Sequence, residues 1–304
     1  MSVSCIVQSV LQSPATRWAV GGWSFFIVEN VVLSENRSYL IQQVGEDSYH
    51  TIYGTLSTIA MGSTAYGYYY HVRNAQPFLW KTTTMPLTFK LAGWISLSLG
   101  FGIASQTVPK LQIPLTRNHH NTTTTTTTTT STGGGSKWQV RCPFDFTDGR
   151  TVLSNNHNAL LEEKVVSGVD RISRHPGLFS FGLVSLGYGL LVPSIPMQLF
   201  FSMPMAVAII GGAHTDSRHR RNIGGTLPSY IDQQTSLIPF LALLSGKQQQ
   251  NKETTTLEQL QDFWIHDVKK LNLSLAMGLA TMIVLRKARP IHHTTSSLGK
   301  NIIR

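Results

Sequence analysis

The sequence predicts an all-α protein, a polytopic bundle of five or six transmembrane helices. Only 13% of its 304 residues are charged, about half of the roughly 25% typical of globular chains. The charges are clustered, and the intervals between clusters are long enough to cross a hydrocarbon core, which takes about 20 apolar helical residues. The net charge of +10 lies beside apolar runs, so we expect membrane lipid as a partner and no nucleic acid.

Long intervals that are almost free of charge predict five of the membrane helices: Trp18 to Ser34, Asp47 to Arg73, Lys90 to Lys110, and His175 to Thr215, which is long enough for two. Pro193 and Pro196 stand at the midpoint of the last interval, where they predict the turn of a helical hairpin. Ser96 and Gly100 have the four-residue spacing that lets two helices approach closely in lipid.

A sixth apolar segment, Leu271 to Leu285, is short and lies between clusters of basic residues. It is either a span or a re-entrant or interfacial helix. With five spans, most Lys and Arg residues lie in the loops after helices one, three and five, which places those loops in the cytosol, stroma or matrix. A sixth span would put the basic C-terminus on the other side, so the charge bias favours a helix that does not span.

We divide the chain into a membrane domain, residues 1–248, and a second region, residues 249–304, made of a polar linker, a short apolar helix and a basic tail. A Thr- and Gly-rich insertion at about residues 117–136 interrupts the first domain. It includes nine consecutive threonines, Thr122 to Thr130, and such low-complexity sequence predicts disorder because it cannot bury a core.

The candidate site begins with Arg174, His175 and Pro176, where the fourth span starts. Proline suits a first helical turn, and the positive helix end beside Arg174 predicts an anion site or a lipid-phosphate anchor. The hairpin returns the chain to the same face, so Asp216 and Arg218 could close a polar site with His175. Solvated charge at a helix exit is the alternative interpretation.

Glu29 and Asn30 are polar residues inside the first predicted span. An intramembrane carboxyl is costly, so it indicates either a functional site or a hydrogen bond to another helix. The two side chains leave the helix about 100° apart. The histidines elsewhere in the chain lack the spacing of a metal site.

These motifs have an order that resembles the NnrU family, specifically its zeta-carotene isomerase branch. The order is RIxRHP, a neutral hairpin, DxR, a Gly and a Tyr, then TSxIPF and GKQ, preceded near the N-terminus by ENVVLSENR. His71-Val72-Arg73, followed by Leu79-Trp80, also agrees. The resemblance covers most of residues 18 to 248.

The resemblance implies a heme b-dependent enzyme that turns a cis double bond of a polyene, a hydrophobic small molecule, to trans, with a plastid membrane as its location. Two histidines are the axial ligands in that branch. Their positions in this chain carry Asn30 and Tyr188, and tyrosine is a known heme ligand whereas asparagine is not a usual one.

Two other functions stay open from the sequence. One is a membrane methyltransferase that binds S-adenosylmethionine near Arg174 and His175. The other is a non-catalytic scaffold or carrier that has lost the cofactor. Across these hypotheses the candidate catalytic residues are Glu29, His175 and Asp216, and the candidate binding residues are Arg174, Arg218, Asn30 and Tyr188.

Overall fold

A computed structural model describes residues 12–80, 85–107, 166–248 and 255–288, together with the backbone of two short strands. The helices are α1 (Pro14–Glu35), α2 (Arg37–Val44), α3 (Glu46–Gly67), α4 (Leu87–Thr107), α5 (Pro176–Leu190), α6 (Ile195–Arg220), α7 (Ser229–Gln234), α8 (Leu241–Leu244), α9 (Thr256–Asp262) and α10 (Lys270–Ala288). The strands β1 (Leu115–Asn118) and β2 (Lys137–Val140) pair with each other in antiparallel direction. The fold is therefore an all-α helical bundle, as predicted.

Six of the helices form the bundle, and each packs on its neighbours along a row. The order is α3, α1, α6, α5, α4 and α10. Three of them, α4, α6 and α10, are long and apolar enough to cross a membrane, and α5 is a shorter apolar helix. The predicted hairpin is present, because α5 ends at Leu190 and α6 begins at Ile195 with Pro196 in its first turn.

The two ends of the bundle can be told apart by the contacts between loops. At one end, called the site end here, Ser34 near the end of α1 lies 2.8 Å from the His214 ring near the end of α6. At the other, the far end, Leu79 donates to the carbonyl of Pro193 in the hairpin turn at 2.8 Å. The loops after α1 and α6 therefore share an end, as the sequence predicted.

Apolar side chains cover much of the outer surface. Val28 is 58% exposed, Leu91 51% and Met282 68%, and each lies on a different helix of the bundle. A water-soluble monomer rarely leaves large apolar patches open. This surface is compatible with contact between the helices and lipid chains.

The α4–α5 contact depends on the small residues that the sequence singled out. The hydroxyl of Ser96 donates to the carbonyl of Leu183 at 2.8 Å. At Gly100, a Cβ atom would lie 2.7 Å from the backbone nitrogen of Val184, so only glycine allows this approach. The interpretation of Ser96 and Gly100 as a close-packing pair is confirmed.

The last helix differs from what the charge bias favoured. α10 has 19 residues, a length of about 28 Å, and runs antiparallel to α4. The Asn272 amide donates to the carbonyl of Ser105 at 3.1 Å, and the Trp94 indole donates to Thr281 at 2.9 Å. Its packing against α4 makes α10 a member of the bundle, and it is long and apolar enough to cross a membrane, although it buries only Ala276 and Ala280.

Candidate functional site

The chain before α5 is held in an extended path by the segment that follows α7. The backbone N–H of Arg174 donates to the carbonyl of Ser236 at 3.0 Å, and the hydroxyl of Ser173 donates to that of Leu237 at 2.7 Å. Phe240 donates to Ile172 at 2.7 Å. The RIxRHP and TSxIPF motifs are therefore one structural unit, although 58 residues lie between them in the sequence.

Asp216 joins the two functional candidates at the start of α5. Its Oδ1 lies 2.8 Å from Nε2 of His175, and its Oδ2 forms an ion pair with Nε of Arg174 at 2.8 Å. The carboxylate is only 3% exposed. The ionised carboxylate can only accept a hydrogen bond, so Nε2–H is the donor. In the neutral ring of His175, Nδ1 is then the nitrogen that keeps its lone pair.

The position of the His175 ring depends on Gly212, one turn before Asp216 on α6. A Cβ atom at Gly212 would lie 3.1 Å from Cδ2 of His175 and 2.6 Å from a methyl group of Leu237. The absence of a side chain therefore leaves the space in which both residues pack. Sequence reasoning did not identify this glycine, although it precedes AHTD in a Gly-Gly pair.

A second carboxylate, Asp232 on α7, extends the network and was also missed from the sequence. Its Oδ1 binds Nη1 of Arg174 at 2.5 Å and Nη2 of Arg220 at 2.6 Å, and its Oδ2 binds Nε of Arg220 at 2.8 Å. Hydrogen bonds from Arg220 hold the pKa of Asp232 below its ordinary value against the effect of burial, and the charge of Arg174 acts in the same direction. The two arginines are thus balanced by two aspartates.

Arg218 lies at the same level but leaves α6 on a different side, two residues after Asp216. It is fully buried, and its Nη2 fits against Gly224, where φ is +72° and a Cβ would lie 2.5 Å away. Hydrogen bonding from Arg221 is the main cause of the lowered pKa of Glu35, and the positive charge of Arg218 contributes in the same direction. Arg218 therefore belongs to the turn between α6 and α7 and to the junction with α1.

At the start of α5, where the sequence predicts an anion site, Arg171 and Arg174 have carboxylate partners within the chain. Arg174 is engaged by its two aspartates, and Arg171 turns toward the C-terminal segment. There its Nη1 lies 2.8 Å from Asp262 and 2.7 Å from Asp267. Carboxylates of the chain itself therefore pair with both guanidinium groups, and these ion pairs tie the start of α5 to α6, α7 and the C-terminal segment.

Glu29 and Asn30 form a separate polar cluster between α1 and α3. The Glu29 carboxylate accepts from Ser57 at 2.8 Å and from the Asn30 amide at 2.7 Å, and Tyr53 donates to the Asn30 carbonyl oxygen. They lie little more than one turn before the end of α1 at Glu35, below the level of Ser34. Their hydrogen bonds, however, connect α1 to α3 and not to α5.

Tyr188 lies at a different depth from Asn30. Ser34 and His175 contact residues two positions apart on α6, so they are nearly level. Asn30 lies about 6 Å below Ser34, whereas Tyr188 lies about 20 Å below His175. The Tyr188 ring packs on Phe201, with centroids 4.8 Å apart, near the far end.

This offset bears on the heme that the resemblance implies. Axial ligands share one iron atom, so side chains more than about 10 Å apart in depth do not fit as an axial pair. The amide of Asn30 is also already bonded to Phe26, Glu29 and Tyr53. Asn30 and Tyr188 therefore do not fit the role of the two family histidines. Elsewhere in the described residues, no group of three or more His, Cys, Asp or Glu residues is placed to hold a metal ion.

Comparison with known proteins identifies the family. The model of the NnrU protein family matches residues 20–287 of the chain, a range that continues past residue 248 and includes α10. No curated protein and no solved structure matches. The match covers every helix that contributes to the site, and the chain belongs to the NnrU protein family.

Proposed function

We propose that this chain is a multi-pass membrane protein that acts on a long polyene or related isoprenoid as a cis–trans isomerase. The membrane location is supported by the three long apolar helices and by the exposed apolar surface of the bundle. A chain that fractionates with membranes after alkaline washing and needs detergent for extraction is the expected result. A monomer that stays dispersed in plain buffer would overturn the membrane location.

The observation that carries the catalytic part of the proposal is the pair formed by the partly buried His175 and the buried Asp216. A carboxylate at 2.8 Å from Nε2 orients the imidazole, which is the arrangement of a general acid–base pair. Arg174 fixes the other oxygen of the same carboxylate. The pair lies at the start of α5, where an apolar chain in the bilayer could meet it.

Such a pair can isomerise a conjugated double bond by moving one proton. The imidazolium Nδ1–H adds its proton to one carbon of the cis bond, and the π electrons form the new C–H bond. The neighbouring carbon becomes a cation delocalised over the polyene, and the former double bond rotates as a single bond. A proton then returns to Nδ1 from the carbon that was protonated, and the electron pair of that C–H bond restores the double bond as trans. No oxidant or reductant is consumed.

The test is to incubate the detergent-purified protein with a cis isomer of zeta-carotene in D₂O and to separate the products. The proposal expects trans product that carries deuterium on a polyene carbon. The protonated carbon holds the added deuteron and its original proton, and each molecule that loses the original proton keeps the deuteron. His175→Ala and Asp216→Asn should lower the rate by about 10²-fold or more. Gly177→Ala is the matched control, since a Cβ there meets nothing within 4 Å.

Other outcomes overturn defined parts of the proposal. Trans product without deuterium, together with the absorbance of a bound heme, would replace the proton step by redox chemistry. Tight binding of the polyene without any product would make the chain a carrier or scaffold. If the protein neither binds the polyene nor forms product, a polyene is excluded as its substrate.

A second candidate function is a membrane methyltransferase. The specific observation in its favour is that Arg174 and His175 meet an acidic residue of the next helix at one end of the bundle. Calorimetry with S-adenosylmethionine checks this candidate. Binding heat that disappears in His175→Ala would favour it over the isomerase, and a titration that equals the buffer blank would eliminate it.

A further inference from the structure

An apolar groove runs along the outside of the bundle between α1 and α3, near the far end. It is lined by Trp18, Gly21, Gly22 and Phe25 of α1 and by Ser63 of α3, with Arg17 at its mouth. Its volume is about 360 Å³, within the roughly 300–1,000 Å³ of ligand sites. The groove is well separated from the His175 site at the opposite end.

The two glycines of the groove have different roles. At Gly22 a Cβ would lie 3.0 Å from the Cα of Thr64, so this glycine lets α1 and α3 approach and forms the floor. At Gly21 a Cβ would meet nothing within 4 Å. Among the residues that the structure describes, no group fills the space beside Gly21, so a larger apolar side chain would fit there.

Aromatic residues mark the depth of the groove. The Trp18 ring stacks on His71, with centroids 5.3 Å apart and planes 2° apart, and meets Tyr66 edge-on at 5.4 Å. Tyr69 and Tyr70 follow in the same turn and are exposed. Such a belt is typical of the boundary between headgroups and acyl chains, so the groove begins at that boundary and continues toward the hydrocarbon core.

The cations of this region differ from those of the site end. Arg171, Arg174, Arg220 and Arg221 each have a carboxylate of the chain as a partner. Arg17 is exposed at the groove mouth, and no carboxylate of the described residues forms an ion pair with it. A negative group at the groove mouth would therefore complement Arg17.

We propose that this groove binds one acyl chain of an anionic phospholipid, whose phosphate pairs with Arg17. The apolar lining and the open space at Gly21 accept the chain, and the aromatic belt sets the phosphate at the level of the guanidinium. The proposal rests on the membrane location proposed above and is independent of the isomerase reaction.

The test is native mass spectrometry of the full chain in detergent, titrated with dioleoyl phosphatidylglycerol and, separately, with dioleoyl phosphatidylcholine. We expect tighter binding of the anionic lipid. Arg17→Gln should weaken that binding about fivefold, the effect of one basic group near a membrane surface, and leave the phosphatidylcholine affinity unchanged.

Filling the groove gives a second, independent variant. Gly21→Leu should abolish the specific adduct of both lipids, because its side chain occupies the space of the acyl chain. Gly278→Leu on α10 is the matched control: its Cβ also meets nothing within 4 Å, and it lies on a different helix. A leucine in a helix is favoured over glycine, so both variants should keep or raise the melting temperature.

Three results would overturn the lipid site. Equal affinities for the two lipids in the wild type would remove the preference for an anionic headgroup at Arg17. Unchanged binding in Gly21→Leu would remove the groove. Displacement of the lipid by inorganic phosphate at low millimolar concentration would show a plain anion site without a role for the acyl chain. Each leaves the deuterium experiment on His175 unaffected, so the two proposals fail separately.

Discussion

The two polar clusters of the bundle hold their carboxylates in different ways. At the site end, Asp216 is paired with an arginine and a histidine, and Asp232 with two arginines. Between α1 and α3, Glu29 is held by a hydroxyl and an amide. At the helix ends of the site end, each carboxylate is paired with basic side chains. Inside the apolar bundle, the Glu29 carboxylate instead accepts hydrogen bonds from neutral donors. The comparison predicts that losing a carboxylate costs more in the first cluster.

The largest effect is expected for Asp216→Ala. Removing this carboxylate leaves the partly buried His175 without its partner and Arg174 with only Asp232, and breaking a buried ion pair from one side costs about 3–5 kcal/mol. Unfolding by heat or denaturant in detergent should show a loss near the lower value, because Asp232 remains. Asp216→Asn keeps the shape and one acceptor, so its loss should be smaller. A loss below about 1 kcal/mol for Asp216→Ala would show that the network contributes little.

The next effect concerns the shape of the site and not its charge. Gly212→Ala brings a methyl group to 2.6 Å from Leu237 and 3.1 Å from His175, so one of them must move. Overpacking of this kind costs about 1–3 kcal/mol, and the His175–Asp216 distance should lengthen. The measurements are the melting temperature and the isomerase rate, with Gly177→Ala as control. If Gly212→Ala behaves like Gly177→Ala, the glycine is not needed to place His175.

How much of this arrangement the sequence predicts depends on the range of each interaction. Long apolar intervals and the proline turn predicted α5, α6 and their hairpin, and the return of the chain placed Asp216 at the level of His175. Asp232 lies on α7, a helix of six residues, too short for a periodic pattern. Nothing in its local sequence reveals that it faces Arg174, because that contact depends on the path of the loop after α6.

The first span also shows that a local sequence pattern does not predict contacts between distant elements. The helical geometry predicted that Glu29 and Asn30 would leave α1 in different directions, and both alternatives for Glu29, a site or a helix contact, were consistent with it. Only the order of helices in the row decides which neighbour they meet. The structure places α3 there, with Ser57 and Tyr53 as partners. A pattern within one helix cannot predict that order.

Glu29 gives the third prediction. Glu29→Leu leaves the Ser57 hydroxyl and the Asn30 amide without their acceptor, which costs about 1–3 kcal/mol for unsatisfied buried groups. Glu29→Gln keeps one carbonyl oxygen and should cost less than about 1 kcal/mol. Unfolding in detergent distinguishes the two variants. A Glu29→Gln protein that is stable but inactive would make Glu29 part of the active site and erase the contrast between the clusters.

The smallest effect is a pH dependence that belongs to the site end. Folding lowers the pKa of Asp232 below its ordinary value of 3.8, so the ionised form contributes stability that is fully present above that value and is lost as the pH falls through the lower pKa of the folded state. Because Asp232 and Arg220 are partly exposed, solvent screens the pair and the gain is small. Melting temperatures measured between pH 5 and pH 2.5 should therefore fall more steeply for the wild type than for Asp232→Asn. Parallel curves would mean that Asp232 titrates alike in the folded and unfolded chains, and that Arg174 depends on Asp216 alone.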